Sequence, residues 1–450
     1  MMTRKITLLT AAICCLICAA SAQKGFNISI KFSHYIPQKV RLAYFYEDKQ
    51  YIQVDSASQS GNLVTFHGDQ ELYPGIYSVI LDSAATSFEL LIDGQNQNFQ
   101  LRCDMNDIQK TMKVTGSDLN AKFYDYQRLM TDLITKRRYL DSARVKEHAD
   151  TAKIDMELAK IDISIEDAWR NTVAGNPGSF LADMLNCMNA RNFGFEKMCD
   201  YVNFGQKGLI RTPFFYNIIR AQIAHYLNAN ASAYEIIRQN DVFIERSKAS
   251  EDVYHYVTAY MLNFYRTFFK LGINEVFVHL ADKYFLAPGI NISADNRNMI
   301  QEQRDIYAAS IPGSDAKPVR MANTMTGDSV DILGIKHETM FLLFWSNGCG
   351  HCDSAENALK LYYDKLVKQG VVVVSVNNDK HDIKYLRQNT GKKNFPWQDF
   401  CDTEEKSYYR QYYYVVSTPI MYVIDDKNRI VQKVVGEDNI TEVARRYSGL

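Results

Sequence analysis

Cys349 and Cys352 are separated by two residues and follow an apolar run, residues 341–345, that predicts a buried strand. Apolar residues recur at helical spacing after the two cysteines, as far as Leu361. We therefore predict that both cysteines lie in the first turn of a helix. The helix dipole and the unpaired N–H groups of that turn stabilise a thiolate over a thiol. Cys349 would then be the exposed nucleophile, and Cys352, one turn deeper, would resolve a mixed disulfide. This chemistry is thiol–disulfide exchange.

Two other interpretations apply to the same pair. A structural zinc site needs four ligands, and the sequence has no second cysteine or histidine pair at the required spacing. A chance pair of buried cysteines is the other alternative, but a CxxC between a strand and a helix favours a redox function. The intervening residues are Gly350 and His351. A histidine beside the thiolate favours the anion and should make the disulfide a better oxidant.

A chain of 450 residues is too long for one hydrophobic core and predicts two to four domains. Its 51 basic and 52 acidic residues nearly cancel, and no lysine- or arginine-rich run is present. We therefore do not expect nucleic acid as a partner.

The N-terminus has the pattern of a secretory signal. Arg4 and Lys5 precede the apolar stretch 6–20, and the small residues 20–22 form an A-x-A cleavage site. The apolar stretch is short for a membrane-spanning helix. We predict that residues 1–22 are a signal peptide and that the protein is exported to the periplasm or cell envelope.

Nine cysteines are present, and three of them, Cys14, Cys15 and Cys18, lie within the predicted signal. None of these three follows the small residue that precedes a lipidated cysteine, so we do not expect a lipid anchor. The remaining six are too few for a disulfide scaffold, which favours a redox enzyme. Spacing leaves open whether Cys187 and Cys199 are paired. We expect Cys103 and Cys401 to be buried free thiols.

The pattern predicts a multidomain chain. Residues 23–116 show short alternating runs separated by turn signals, which predict an antiparallel β-sandwich. Residues 117–310 predict an all-α helical domain, beginning at a cap at Ser117 and interrupted at residues 176–179. Pro213 should start one helix and Asn274 should cap another. Five histidines of these regions lack partner motifs, so we interpret them as core or surface residues: His34, His67, His225, His255 and His279.

After a linker at residues 312–318, the order of elements is β-α-β-α-β-β-α, with CxxC at the first helix. The β-branched run 371–376 is typical of a parallel strand buried on both faces. A helix is predicted at residues 404–414, and Thr418-Pro419 stands at the start of the next strand. This order predicts a C-terminal α/β thioredoxin fold over residues 318–450.

Residues 318–450 resemble the thioredoxin superfamily, specifically the exported TlpA/ResA-like thiol–disulfide oxidoreductases. The matching features are Phe344-Trp345, the Cys349-Gly-His-Cys352 motif, Thr418-Pro419 and Gly436. The resemblance implies that Pro419 is cis, lies against the active-site disulfide and, with Thr418, positions the backbone of a substrate. The two upstream regions resemble the β and helical accessory domains of Bacteroidota envelope proteins.

The sequence departs from that family at three places. Gly348 replaces the tryptophan that most members have before the first cysteine, and Leu343 replaces the buried acid of thioredoxins. Glu356 lies near, but not in, the register of the glutamate that ResA-like proteins often have after the second cysteine. One turn beyond Cys352, Glu356 is placed to help deprotonate it.

Two functions follow. The first is thiol–disulfide exchange on exported proteins, of the reductase or isomerase type, with a membrane electron donor or acceptor and no cofactor or metal motif. The Gly-His dipeptide leaves the direction open. The alternative is an envelope binding or scaffold protein that uses its N-terminal domains. Both cysteines and Pro419 are retained, which favours the enzyme.

Overall fold

The computed structural model describes residues 25–82, 86–145, 150–229, 231–267 and 274–450, and the predicted signal peptide lies outside these ranges. The chain divides into two compact units, residues 1–222 and 223–450, and the division falls within a helix of the middle region. Within the described ranges, no helix has the length and apolar character needed to cross a membrane.

The N-terminal strands form two sheets. They are β1 (Phe26–Ser33), β2 (Val40–Tyr46), β3 (Lys49–Val54), β4 (Ser58–Ser60), β5 (Leu63–Gly68), β6 (Gly75–Leu81), β7 (Thr86–Ile92), β8 (Asn98–Asp104) and β9 (Lys113–Thr115), with a short helix α1 (Ile108–Thr111). The sheet orders are β4-β5-β1-β8-β9 and β3-β2-β6-β7. Pairing is antiparallel except between β1 and β8, which run parallel. The alternating pattern predicts the sandwich but not this parallel pair, because alternation is the same in both directions.

Alternate residues of each strand fill the space between the sheets. Ile28 and Ile30 of β1 have no exposed surface, and the polar residues between them face outward. The Phe32 ring contacts Phe88 of β7 edge-on, with centroids 6.4 Å apart. Side chains from the two sheets therefore share one core.

The helical region contains α2 (Asp118–Arg144), α3 (Thr151–Ala174), α4 (Phe180–Asn189), α5 (Phe195–Met198), α6 (Pro213–Asn228), α7 (Ala233–Ser247), α8 (Glu251–Thr267), α9 (Asn274–Ala281) and α10 (Ala294–Ala308). The predicted cap at Ser117 is confirmed, since its side chain accepts a hydrogen bond from the Asn120 N–H. Pro213 begins α6 as predicted. Asn274 is the first residue of α9, and its side chain donates to the Tyr307 carbonyl at 2.8 Å.

Within the first unit, two polar side chains attach helices to the β-sheets. The Asn120 amide of α2 both accepts from and donates to the backbone of Leu91, at 2.8 Å each, and so extends the hydrogen bonding of β7. Arg211 donates to the Tyr77 hydroxyl at 2.7 Å, and its guanidinium lies 3.9 Å from the centre of the Tyr44 ring. The planar guanidinium suits this combination of hydrogen bonding and stacking.

The C-terminal sheet has the order β11-β10-β14-β13-β12-β15-β16. Its strands are β10 (Arg320–Asn323), β11 (Ser329–Asp331), β12 (Thr339–Trp345), β13 (Val371–Asn377), β14 (Gln398–Cys401), β15 (Ile420–Asp425) and β16 (Ile430–Val435). Its helices are α11 (Gly350–Lys368), α12 (Ile383–Lys393), α13 (Tyr409–Tyr412) and α14 (Glu437–Tyr447). β12 pairs with β13 in parallel and with β15 antiparallel.

The prediction of a helix over residues 404–414 is wrong in length, because only Tyr409–Tyr412 is helical. Glu405 and Tyr408 have φ values of 53° and 55°. A right-handed helix cannot pass through these left-handed conformations, so the helix is restricted to one turn.

Asp399 of β14 connects three parts of the C-terminal sheet. It is 3% exposed and accepts hydrogen bonds from Trp345 of β12 at 2.8 Å and from Ser375 of β13 at 2.6 Å. Two threonine hydroxyls, Thr324 and Thr390, donate to its other oxygen. Burial raises the pKa of Asp399 to about 6, against the opposing effect of these four hydrogen bonds.

The raised pKa of Asp399 predicts a specific pH dependence of stability. A carboxyl that binds its proton more tightly when folded stabilises the fold at low pH, and that stabilisation is lost as the pH rises through about 6. Between pH 7 and pH 4, the native protein should gain about 2 kcal/mol in unfolding free energy relative to Asp399→Asn. Urea unfolding followed by tryptophan fluorescence measures this difference.

The control is Asp425→Asn. Backbone hydrogen bonds, first from Arg429, lower the pKa of the Asp425 carboxyl, so its contribution has the opposite sign and is lost only in more acidic solution. A difference between native protein and Asp399→Asn that did not change with pH would contradict the prediction.

Candidate active site

The two cysteines lie where the central strand β12 passes into α11. They are joined by a disulfide, with Cα atoms 5.2 Å apart. Cys349 is the N-cap of α11, and its sulfur accepts a hydrogen bond from the Cys352 N–H at 3.2 Å. Cys349 is partly exposed, whereas Cys352 has no exposed surface. The sulfur that solvent reaches is thus also the one that the helix N-terminus contacts.

Thr418 and Pro419 lie beside the disulfide. The Cys349 sulfur is 3.7 Å from the Thr418 carbonyl oxygen. The Thr418–Pro419 bond is cis, the conformation that the resemblance implies. The Thr418 hydroxyl donates to the Ser346 hydroxyl at 3.3 Å, which connects this turn to the loop before the first cysteine.

The loop before Cys349 is held by an acid from the neighbouring strand. Asp379, just after β13, accepts hydrogen bonds from the backbone N–H of Asn347 at 3.1 Å and from its side-chain amide. Gly348 has a φ of 72°, and no atom of the described residues lies within 4 Å of the position that a Cβ would take. This left-handed conformation suits glycine, which accounts locally for the absence of tryptophan here.

His351 contacts the first turn of another helix. Its Nδ1 is 2.6 Å from a carboxylate oxygen of Glu437, the first residue of α14, and 74% of the His351 side chain is exposed. A backbone hydrogen bond within Glu437 and the hydrogen bond with His351 lower the pKa of the Glu437 carboxyl. The imidazole therefore has a fixed anionic partner at the mouth of the site.

Glu356 lies one turn after Cys352 on the same face of α11 and is 1% exposed. One carboxylate oxygen accepts from Lys393 at 2.8 Å, and the other has no hydrogen-bond partner among the described residues. Burial raises the pKa of Glu356, and the hydrogen bond from Lys393 opposes this rise. Burial also acts to lower the pKa of Lys393, but its hydrogen bonds to Asp353 and Glu356 outweigh that effect and raise it.

Four acidic or basic groups of this region were missed from the sequence: Asp379, Lys393, Asp399 and Glu437. Each meets its partner across the fold, as in the contact of Lys393 with Glu356, which lies 37 residues away. Lys393 also lies 4.9 Å from the centre of the Trp345 ring. No local motif marks such contacts, because they depend on how the helices pack over the sheet.

Three cysteines outside the pair, Cys103, Cys187 and Cys401, are buried free thiols. Cys103 and Cys401 are buried, which confirms their prediction, and burial raises their pKa values to about 12 and about 11. Cys187 and Cys199, whose pairing the sequence left open, are not bonded to each other. The buried thiols of Cys103, Cys187 and Cys401 have raised pKa values and are poor nucleophiles compared with a cysteine at a helix N-terminus.

Comparison with known proteins agrees with this geometry. A thioredoxin-like family model matches residues 337–430, and a domain of unknown function (DUF4369) matches residues 26–123. The thiol-disulfide oxidoreductase ResA of Bacillus thuringiensis subsp. konkukian (strain 97-27) is 23% identical over 123 residues, which are 27% of this chain and 68% of ResA.

Two solved structures are also similar. The thioredoxin domain of a thiol-disulfide oxidoreductase from Bacteroides vulgatus is 19% identical, with 30% of this chain and 97% of that domain covered and a TM-score of 0.28. A thioredoxin-like protein from Bacteroides caccae is 14% identical, with 59% of this chain and 93% of that protein covered and a TM-score of 0.42.

The family match and the cysteine pair at the start of α11 together identify the C-terminal domain. Residues 337–430 thus match a thioredoxin-like family, and this part of the chain is similar to thiol–disulfide oxidoreductases of the TlpA/ResA-like kind.

Proposed function

We propose that this protein catalyses thiol–disulfide exchange on exported proteins in the periplasm or cell envelope. The observation that carries the proposal is the pair itself, in which a partly exposed Cys349 caps α11 and a buried Cys352 is bonded to it. A thiolate at this position is stabilised by the backbone N–H of Cys352 and by the helix dipole.

In the reducing direction, the Cys349 thiolate attacks one sulfur of a substrate disulfide. A bond forms between the two sulfurs, and the other substrate sulfur leaves as a thiolate and takes a proton. Cys352 then attacks the Cys349 sulfur, which forms the intramolecular disulfide and releases the second substrate thiol. A dithiol donor at the membrane would return two electrons to the pair. Oxidation of a substrate is the reverse sequence.

Release of the substrate requires Cys352 to lose its proton in a buried environment. Glu356 supports this step, because one carboxylate oxygen lacks a hydrogen-bond partner in the part of the chain that the structure describes and the side chain lies on the Cys352 face of α11. The carboxylate would take the thiol proton, and Lys393 would keep the carboxylate charged before that transfer.

The backbone beside Pro419 provides a docking edge. The Thr418 carbonyl oxygen lies 3.7 Å from the Cys349 sulfur, so a chain that is hydrogen-bonded there would bring its own sulfur next to the nucleophile. Thr418 and Pro419 are thus proposed to position substrate, and Gly350 to leave the approach to Cys349 open.

Replacing the nucleophile separates the enzyme from a scaffold. Cys349→Ala should abolish the acceleration of insulin reduction by dithiothreitol that the native protein gives. Without dithiothreitol, reduced Cys352→Ala should accumulate a mixed disulfide with insulin that is visible on a non-reducing gel. Cys401→Ala is the matched control and should retain turnover. Full turnover by Cys349→Ala would contradict the role of Cys349 as the nucleophile, and no turnover by the native protein would favour a scaffold.

The role of Glu356 predicts a defect in resolution. Glu356→Gln should slow release of the mixed disulfide by roughly a hundredfold at neutral pH. Because the pKa of Glu356 is raised, its carboxylate takes up a proton at a higher pH than an ordinary glutamate does. As the pH falls, the native rate of resolution should therefore begin to decline at that higher pH. The rate of Glu356→Gln should not show this decline.

Asp353→Asn is the control for that measurement, because Asp353 contacts the same lysine but is exposed. It should resolve the mixed disulfide at nearly the native rate. Equal slowing by Asp353→Asn and Glu356→Gln would assign the effect to Lys393 and contradict a role of Glu356 as the base.

The reduction potential determines the direction of exchange. Equilibration with glutathione should give a value near −270 mV for a thioredoxin-like reductase, or about −120 to −180 mV for an oxidase or isomerase. His351→Ala should make the pair more reducing by about 30 mV or more, a tenfold change in equilibrium constant. His381→Ala, a histidine outside the site, should leave the potential unchanged, and an unchanged potential in His351→Ala would exclude the role of this histidine.

A further inference from the structure

The outer face of the five-stranded N-terminal sheet carries a row of three cations. Lys31 of β1 is directly opposite Arg102 of β8, and Arg102 is directly opposite Lys113 of β9. All three side chains are exposed. Adjacent strands are about 4.8 Å apart, so the row extends over roughly 10 Å.

The charges of this row are not compensated. Like charges directly opposite one another destabilise a sheet. Across the described ranges, none of the three side chains has an ion pair or a side-chain hydrogen bond. The acid two residues beyond Arg102 is Asp104, and it accepts hydrogen bonds from His34 at 3.1 Å and from Asn106. The row therefore has an excess of positive charge that the domain itself does not neutralise.

The row borders a surface cavity of about 470 Å³. The cavity also has neutral hydrogen-bonding groups one pleat away, where Ser29, Gln100 and Thr115 form a second row across the same strands. Hydroxyl and amide groups can donate to an anion oxygen whose charge the cations balance. The planar fork of Arg102, in the middle of its row, fits two oxygens of a phosphate.

We propose that this face of the β domain binds a multiply charged, phosphate-bearing anion. Three cations in a line fit phosphate groups spaced along a chain or a surface better than they fit one isolated ion. Two sources offer this chemistry, a soluble linear polyphosphate and the phosphate headgroups of a lipid surface. This face shares no residue with the site of the cysteine pair, so the proposal does not depend on the proposed enzymatic function.

Binding can be measured with the purified full chain. Isothermal titration with tripolyphosphate should show saturable binding that weakens steeply as salt is raised, and inorganic phosphate should bind at least tenfold more weakly. Sedimentation with phosphatidylglycerol vesicles, compared with phosphatidylcholine vesicles, tests the lipid source. Binding to tripolyphosphate alone would support a soluble ligand, and binding to the anionic vesicles would support a lipid headgroup.

Arg102→Gln is the decisive variant. It should weaken binding of the probe at least tenfold, and it should raise the melting temperature because it removes repulsion on both sides of the row. Lys49→Gln, an exposed lysine of the other sheet, is the matched control and should change neither. Equal binding by both variants, or no binding of any probe by the native chain, would overturn the proposal.

Discussion

Burial of β12 on both faces and pairing on both edges is the constraint on which the C-terminal domain depends. Residues 340–345 have no exposed surface, and β12 is hydrogen-bonded to β13 on one side and β15 on the other. A shift of one residue would exchange Phe344, which packs on one face, with Trp345, which packs on the other. The register is therefore fixed, and it determines where the chain leaves the sheet and where α11 begins. Cys349 becomes the N-cap of α11 because of that register.

The electrostatics of the site depends on the same central strands of the sheet. Thioredoxins have a buried acid where this chain has Leu343, yet this chain has a buried carboxyl in the same row of residues across the sheet. Leu343 is opposite Ser375, and Ser375 is opposite Asp399. Asp399 orients Trp345 through the indole N–H, and Trp345 shares a buried cluster with Cys352. Asp399 thus lies two strands away from Leu343, the position of the buried acid in thioredoxins. It is nevertheless connected through Trp345 to the buried cluster that contains Cys352.

The two ends of the chain have different physical characters. The C-terminal site combines the buried sulfur of Cys352 with an ion pair in which the carboxylate of Glu356 is buried. Low polarity there makes each proton transfer sensitive to neighbouring groups. The outer face of the N-terminal sheet is exposed, so its three cations act through their field and through salt-dependent contacts. The buried environment of the cysteine pair suits a chemical step, and the exposed face of the N-terminal sheet suits recognition of an anion.

The sequence alone determined the elements and the redox pair. Alternating runs predicted most of the N-terminal strands, Ser117 and Pro213 marked helix starts, and the CxxC after an apolar strand predicted Cys349 and Cys352 because this signal is local. It failed over residues 404–414, where left-handed residues stop the helix.

Only the tertiary structure decided which distant side chains meet. It joined Glu356 to Lys393 and His351 to Glu437, and it brought Lys31, Arg102 and Lys113 into one row. It also set the parallel pairing of β1 with β8. These contacts follow from strand register and from helix packing over the sheet, which depend on the whole core and leave no spacing signal in the chain.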